Sequence, residues 1–146
     1  MHCGKCRACL NACPTDAFVS PGLLNAELCL STQTIEQRGV IPPFFSDKLP
    51  TAYGCDICQD VCPWNQKHFL NIHDYNCSAK DELCMSSKEL KDALKNNNLE
   101  RLGLNLYRRN LLCYCKDEID PQLRKAYFYH PNKVVRQTLK QLRGTN

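Results

Sequence analysis

Four cysteines open the chain at fixed intervals and a proline closes the run: Cys3-Gly-Lys-Cys6-Arg-Ala-Cys9-Leu-Asn-Ala-Cys13-Pro14. A cysteine at every third residue lets one loop offer thiolates to three irons of a [4Fe–4S] cube, and the fourth thiolate serves a second cube. The proline discourages the residue before it from continuing as helix. Such a run needs a second ligand set downstream. Cys55-Asp-Ile-Cys58-Gln-Asp-Val-Cys62-Pro63 supplies it, with Cys29 alone upstream. The crossover predicts Cys3, Cys6, Cys9 and Cys62 around cluster one, and Cys13, Cys29, Cys55 and Cys58 around cluster two. Cys29 precedes Cys55 by 26 residues, so an insertion separates them.

This is the ligand pattern of a bacterial-type two-cluster ferredoxin. Two other uses of 12 cysteines in 146 residues fit less well. A disulfide framework is expected in an oxidising compartment, whereas the opening Met-His-Cys-Gly-Lys has no apolar core of a signal peptide. Zinc would use the pairs Cys3/Cys6 and Cys55/Cys58 but would leave Cys9, Cys13, Cys62 and both Cys-Pro endings without a role.

Charge divides the chain. Residues 1–85 carry 6 Lys/Arg against 9 Asp/Glu, and residues 86–146 carry 13 against 6. No apolar run approaches the ~20 residues that span a bilayer, and a cytoplasmic protein is expected. These features predict a mainly α protein: a ferredoxin-like domain over 1–85, with a helical insertion between Cys29 and Cys55, then a basic tail of short HEAT-like helical repeats over 86–146.

Along the first part, Asn25 is expected to cap a helix running to about Gln37, with Cys29 in its first turns and Leu28, Thr32 and Ile35 inward; Gly39 would close it in a left-handed cap. Pro42-Pro43 breaks the chain before a short helix to Leu49. Trp64 is read as core filling, with shielding of a cluster from water as the other use. His68 and His73 read as surface residues, and Cys77, Cys84, Cys113 and Cys115 as ordinary thiols.

In the tail, Ser86 to Glu89 has the form of a capping box, with Leu90 and Leu94 continuing the helix and Asn96-Asn-Asn ending it. A second helix runs from Leu106 to about Lys116. Asp120-Pro121 starts a third, which reaches about Tyr129. Asn132 caps a fourth, where Val135, Leu139 and Leu142 share one face. Lys133, Arg136, Lys140 and Arg143 fall on the opposite face; with Arg108 and Arg109, and with Arg124-Lys125, they are together candidate phosphate contacts. Any one of these cations alone reads as a solvated side chain. Tyr107, Tyr114, Tyr127, Phe128 and Tyr129 fit either base stacking or the core.

The chain resembles epoxyqueuosine reductase. The likeness rests on Cys3 to Ala17, on Cys29 followed by Thr34-Ile-Glu-Gln-Arg-Gly-Val-Ile-Pro42, and on Tyr53-Gly-Cys-Asp-Ile-Cys-Gln-Asp-Val-Cys-Pro-Trp-Asn65. Arg108-Arg-Asn110 and Pro131 to Leu142 are similar more loosely to its helical tail. The resemblance implies two [4Fe–4S] clusters that pass electrons singly to cobalamin, which removes the epoxide oxygen of epoxyqueuosine at the tRNA wobble position, while the helical tail grips the tRNA. In that family the cobalamin-binding region lies upstream of the cluster loops. Met1 lies two residues before Cys3, so a truncated product, a fragment or one piece of a split enzyme is expected, inactive alone and reliant on a cobalamin-binding domain and an electron donor. A stand-alone two-cluster electron carrier, and a nucleic-acid-binding module with structural clusters, are the competing functions.

Overall fold

The computed structural model describes residues 3–65 and 78–142. Helix accounts for 55% of it and strand for 4%, so the mainly α class holds. His68, His73, Cys77 and Arg143 lie outside the described residues.

The first half is built of short pieces. Helix α1 (Ala8–Ala12) follows the first cysteine loop and ends at Cys13, whose backbone is extended. Strands β1 (Phe18–Ser20) and β2 (Leu23–Leu24) form an antiparallel hairpin. A 3-10 turn (Ala26–Leu28), a π turn (Thr32–Glu36), α2 (Pro43–Ser46) and α3 (Ile57–Asp60) complete it. Helices α1 and α3, which leave the two cysteine loops, pack on each other.

The expected continuous helix from Asn25 to Gln37 is interrupted. Asn25 does cap, its Oδ1 accepting from the Glu27 N–H at 3.0 Å. The 3-10 turn stops at Leu28, however, and Cys29 is extended at φ −75°, ψ 128°. The break shifts the phase of the π turn: Leu30, Gln33 and Thr34 are buried, while Leu28, Thr32 and Ile35 are only half-buried. Thr34 Oγ1 also lies within hydrogen-bond reach of the Leu30 and Ser31 carbonyls, at 3.0 and 3.2 Å. Such side-chain bonding competes with the regular ladder, and the Gln37 N–H donates five residues back to the Thr32 carbonyl instead. Gly39 has no left-handed conformation, because the turn already ends in extended backbone at Gln37.

The second half is closer to expectation. Helices α4 (Ala79–Cys84), α5 (Ser87–Leu94), α6 (Leu104–Tyr114), α7 (Pro121–Phe128) and α8 (Lys133–Gln141) are joined by short turns. The Ser86/Glu89 capping box is formed in both directions. Asp120 caps α7 and Asn132 caps α8, each accepting from two backbone N–H groups. Helix α6 is central, packing on α4, α5 and α8, while α7 packs on α8. Leu83, Leu90, Leu94, Leu111, Leu112, Val135 and Leu139 form one core with Tyr107 and Tyr127. Ala52, from the turn before Cys55, belongs to the same core. Leu83 on α4 and Leu90 on α5 thus share a core from either side of residue 85.

Candidate iron–sulfur site

The first cysteine loop folds around its own backbone. The Cys6 N–H donates to the Cys3 carbonyl at 2.8 Å, and Gly4 takes a positive φ of 51°. Cys3, Cys6 and Cys9 line one cavity together with Cys62, contributed by the second cysteine run. Ala8, Leu10, Pro21, Pro63 and Trp64 supply its other walls. Trp64 is 58% exposed, so the core-filling reading fails, and the residue instead lines this cavity.

Of the other four candidate ligands, Cys55 lies near enough to Cys13, Cys29 and Cys58 to be affected by their charge, and Cys58 by that of Cys29 and of Cys9 from the first set. Burial pushes the Cys55 thiol up; the neighbouring thiols add to this, while the Ile57 N–H works against it. Cys58 is raised by burial too, against a 3.8 Å contact from the Gln59 amide. Burial also opposes ionisation of Cys13, but hydrogen bonds from the Ala17 N–H at 3.3 Å and from Thr15 outweigh it and lower its pKa.

Four thiols around one cavity, contributed by both cysteine runs, are a donor set that fits an iron–sulfur cluster.

Two features hold the backbone at Cys55 in shape. Gly54, just before Cys55, sits at φ +78°, which glycine adopts without steric cost; its N–H donates to Thr34 Oγ1 at 3.0 Å. Ser31 Oγ donates to the Cys55 carbonyl at 3.4 Å.

The basic residues do not form one surface. Arg109 on α6 has no exposure, and Arg108 has 5%. Arg109 Nη1 donates to the carbonyls of Gln37 and, at 2.7 Å, Gly39; Nη2 donates to those of Gln33 and Thr34 at 3.0 and 3.3 Å. Arg108 donates to the Met85 carbonyl at 3.0 Å and to Ser87 Oγ at 2.9 Å. Both expected phosphate contacts therefore face inward, because α6 is the central helix and has no solvent face at these positions. Burial lowers the Arg109 pKa to about 10, so it remains a cation at neutral pH. Lys133 and Lys140 are exposed. Arg136 is half-buried, its guanidinium donating to the His130 and Pro131 carbonyls at 2.6 and 2.7 Å. Tyr107 and Tyr127 belong to the core, whereas Tyr129 is 74% exposed.

The inward role of Arg109 and Asn110 was the principal feature missed from sequence. A signal existed: Arg109 stands three and four residues from Leu106, Leu112 and Cys113, on an apolar helix face.

The sequence pattern of the 4Fe-4S double cluster binding domain matches residues 2–65. Epoxyqueuosine reductase of Prochlorococcus marinus is 37% identical over 120 residues, covering 75% of this chain and 38% of that protein. The Pseudomonas aeruginosa enzyme is 39% identical over 122 residues, covering 75% and 33%. The chain belongs with the epoxyqueuosine reductases. A solved epoxyqueuosine reductase, crystallised with a tRNA-Tyr epoxyqueuosine-modified tRNA stem loop, superposes with a TM-score of 0.83 at 31% identity, covering 97% of this chain and 41% of that one. The chain thus spans about two fifths or less of the length of these epoxyqueuosine reductases. Among the described residues, no helix is long and apolar enough to cross a membrane.

Proposed function

We propose that this chain is the electron-carrying and tRNA-facing part of an epoxyqueuosine reductase. Cys3, Cys6, Cys9 and Cys62 would hold one [4Fe–4S] cluster, and Cys13, Cys29, Cys55 and Cys58 the other. The observation that carries the reading is the cavity where three cysteines of the first run meet Cys62 of the second. Bound clusters supply one-electron oxidation and reduction. The chain's own residues set the conditions: thiolates bind iron, Leu10, Pro21, Pro63 and Trp64 limit water at the first site, and backbone N–H groups stabilise the thiolate of Cys13.

Opening an epoxide to an alkene consumes two electrons and two protons and releases water. Two one-electron carriers match that count, with a separate electron donor upstream. The terminal reductant in this reading is cobalamin, held by an upstream domain or a separate chain. In this reading the step at the epoxide belongs to that cobalamin and not to this chain's own residues.

For tRNA, the outer face of α8 supports a phosphate-binding role, through Lys133 and Lys140 with Arg136 held between them. Arg124 and Lys125 on α7 flank the exposed Tyr129 around a second hollow. A cytoplasmic setting, where thiols stay reduced, is part of the same proposal.

The test is iron and sulfide content together with electron paramagnetic resonance of dithionite-reduced protein purified without oxygen. About eight irons per chain and two interacting cubes are expected; zinc, or oxidised thiols without iron, would overturn the cluster assignment. For tRNA, log Kd should rise linearly with log salt, and Lys133→Glu/Lys140→Glu should reduce the slope by roughly one to two. Binding that ignores both salt and these substitutions would reject the tRNA surface.

A further inference from the structure

Arg109 is buried without a carboxylate partner among the described ion pairs. A guanidinium has five N–H donors in a planar fork, and here all are directed at acceptors. Besides the four backbone carbonyls of residues 33, 34, 37 and 39, Nε and Nη2 donate to Asn110 Oδ1 at 2.9 and 2.7 Å. Asn110 Nδ2 in turn donates to the Thr34 carbonyl at 2.8 Å. Two adjacent side chains of α6 thus close the carbonyl end of the π turn.

That turn lies between ligands of the second cluster. At its start, the Gln33 N–H donates to the Cys29 carbonyl at 3.2 Å. From its middle, Thr34 Oγ1 receives the N–H of Gly54, the neighbour of Cys55. The backbone bearing Cys29 is therefore held at Gln33 and the backbone before Cys55 at Thr34, two adjacent residues whose carbonyls both accept from Arg109, the second also from Asn110. Among the described residues, those that line the cavity of Cys3, Cys6, Cys9 and Cys62 include none from the tail.

We infer that Arg109, with Asn110, is a positioning residue for the second cluster: it fixes the π turn so that Cys29 and Cys55 face one cofactor. The inference rests on the two-cluster reading above. It makes the helical half a working part of the iron–sulfur site.

The experiment uses the full chain, reconstituted with iron and sulfide without oxygen. Arg109→Lys keeps the charge, but a lysine ammonium has only three donors on a flexible stem and cannot span four carbonyls. Helicity by circular dichroism should persist. Iron should fall from about eight to about four per chain, and the resonance signature of interacting cubes should reduce to that of one isolated cube. Thr34→Val should act in the same direction, and the double variant should lose no more than the worse single one, as expected of two links in one chain. Arg101→Ala, which breaks an exposed pair with Glu36 on the same turn, should keep both clusters.

Retention of eight irons and the interacting signal in Arg109→Lys would overturn the inference, as would equal loss of both clusters. If Arg109→Lys loses its helices, Thr34→Val decides by the same readout. A wild-type chain that never binds about eight irons defeats the two-cluster reading and this inference with it; eight irons in wild type and variants alike defeats the inference alone.

Discussion

Lys48 Nζ donates to the Pro14 carbonyl at 2.8 Å and lies 4.0 Å from the centre of the Phe44 ring. The insertion between Cys29 and Cys55 thereby reaches back to the residue after Cys13. The insertion is also held from the tail: Gln141 Nε2 donates to the Ile41 carbonyl at 2.7 Å, and Lys116 pairs with Asp47. It is a bracket between the cysteine loops and the helices. Lys48→Met keeps the stem and removes the charged donor, so about 1.5–3 kcal/mol of stability should be lost, in the range of hydrogen bonds to charged groups. Urea denaturation of the cluster-loaded chain would measure it, and an unchanged midpoint would show that the bracket is redundant.

The crossover makes a prediction that a sequential arrangement does not. Cys62→Ser should remove the same spectroscopic component as Cys9→Ser, although 53 positions separate them. Cys13→Ser should match Cys55→Ser. Each variant should retain roughly half the iron. If Cys62→Ser instead phenocopied Cys55→Ser and Cys58→Ser, each run would be serving its own cluster.

The cysteine pattern was readable from sequence because its chemistry is local: three-residue spacing and a following proline encode where thiolates point. Helix starts at Ser86, Asp120 and Asn132 were readable for the same reason, since a cap acts within three residues. Cys29 carries no such local signal, since it stands alone 26 residues before Cys55. The roles of Arg108, Arg109 and Asn110 were obscured because net charge does not say which face of a helix a cation occupies. A central helix such as α6 has neighbours on several sides, and polar groups among them are used to satisfy carbonyls left open by irregular turns. The same irregularity defeated the continuous helix expected through Cys29, since the turn that Asn25 caps ends at Leu28 in extended backbone.

The cysteines outside the eight should divide by reactivity. Cys84 is exposed. Cys113 and Cys115 are buried, which pushes their thiols up to about 12 and about 11. The thiolate is the reactive form, so at pH 8 these two should resist alkylation until the chain unfolds, while Cys84 labels in the folded, cluster-loaded protein. Mass spectrometry after brief iodoacetamide treatment would show this. Prompt labelling of Cys113 without unfolding would mean that α6 opens locally.

A final prediction concerns His130, which stacks on Tyr127 with ring centroids 5.7 Å apart. Its Nδ1 accepts from the Asn132 N–H at 3.1 Å, and its Nε2 lies 3.4 Å from Arg108 Nη1. Burial lowers its pKa below the ordinary 6.5, and the adjacent cations Arg108 and Arg136 lower it further. The unfolded chain therefore binds the proton more readily than the folded one. Stability linked to this group is fully present above about 6.5, declines as the pH falls below that value, and stops changing once the folded imidazole is itself protonated. His130→Gln keeps a polar side chain but removes the titration. Comparing the two chains by denaturation between pH 7.5 and 5 isolates the histidine from other acid effects. Wild type should lose more stability than His130→Gln over that interval; parallel declines would show that the imidazole is protonated equally easily in both states.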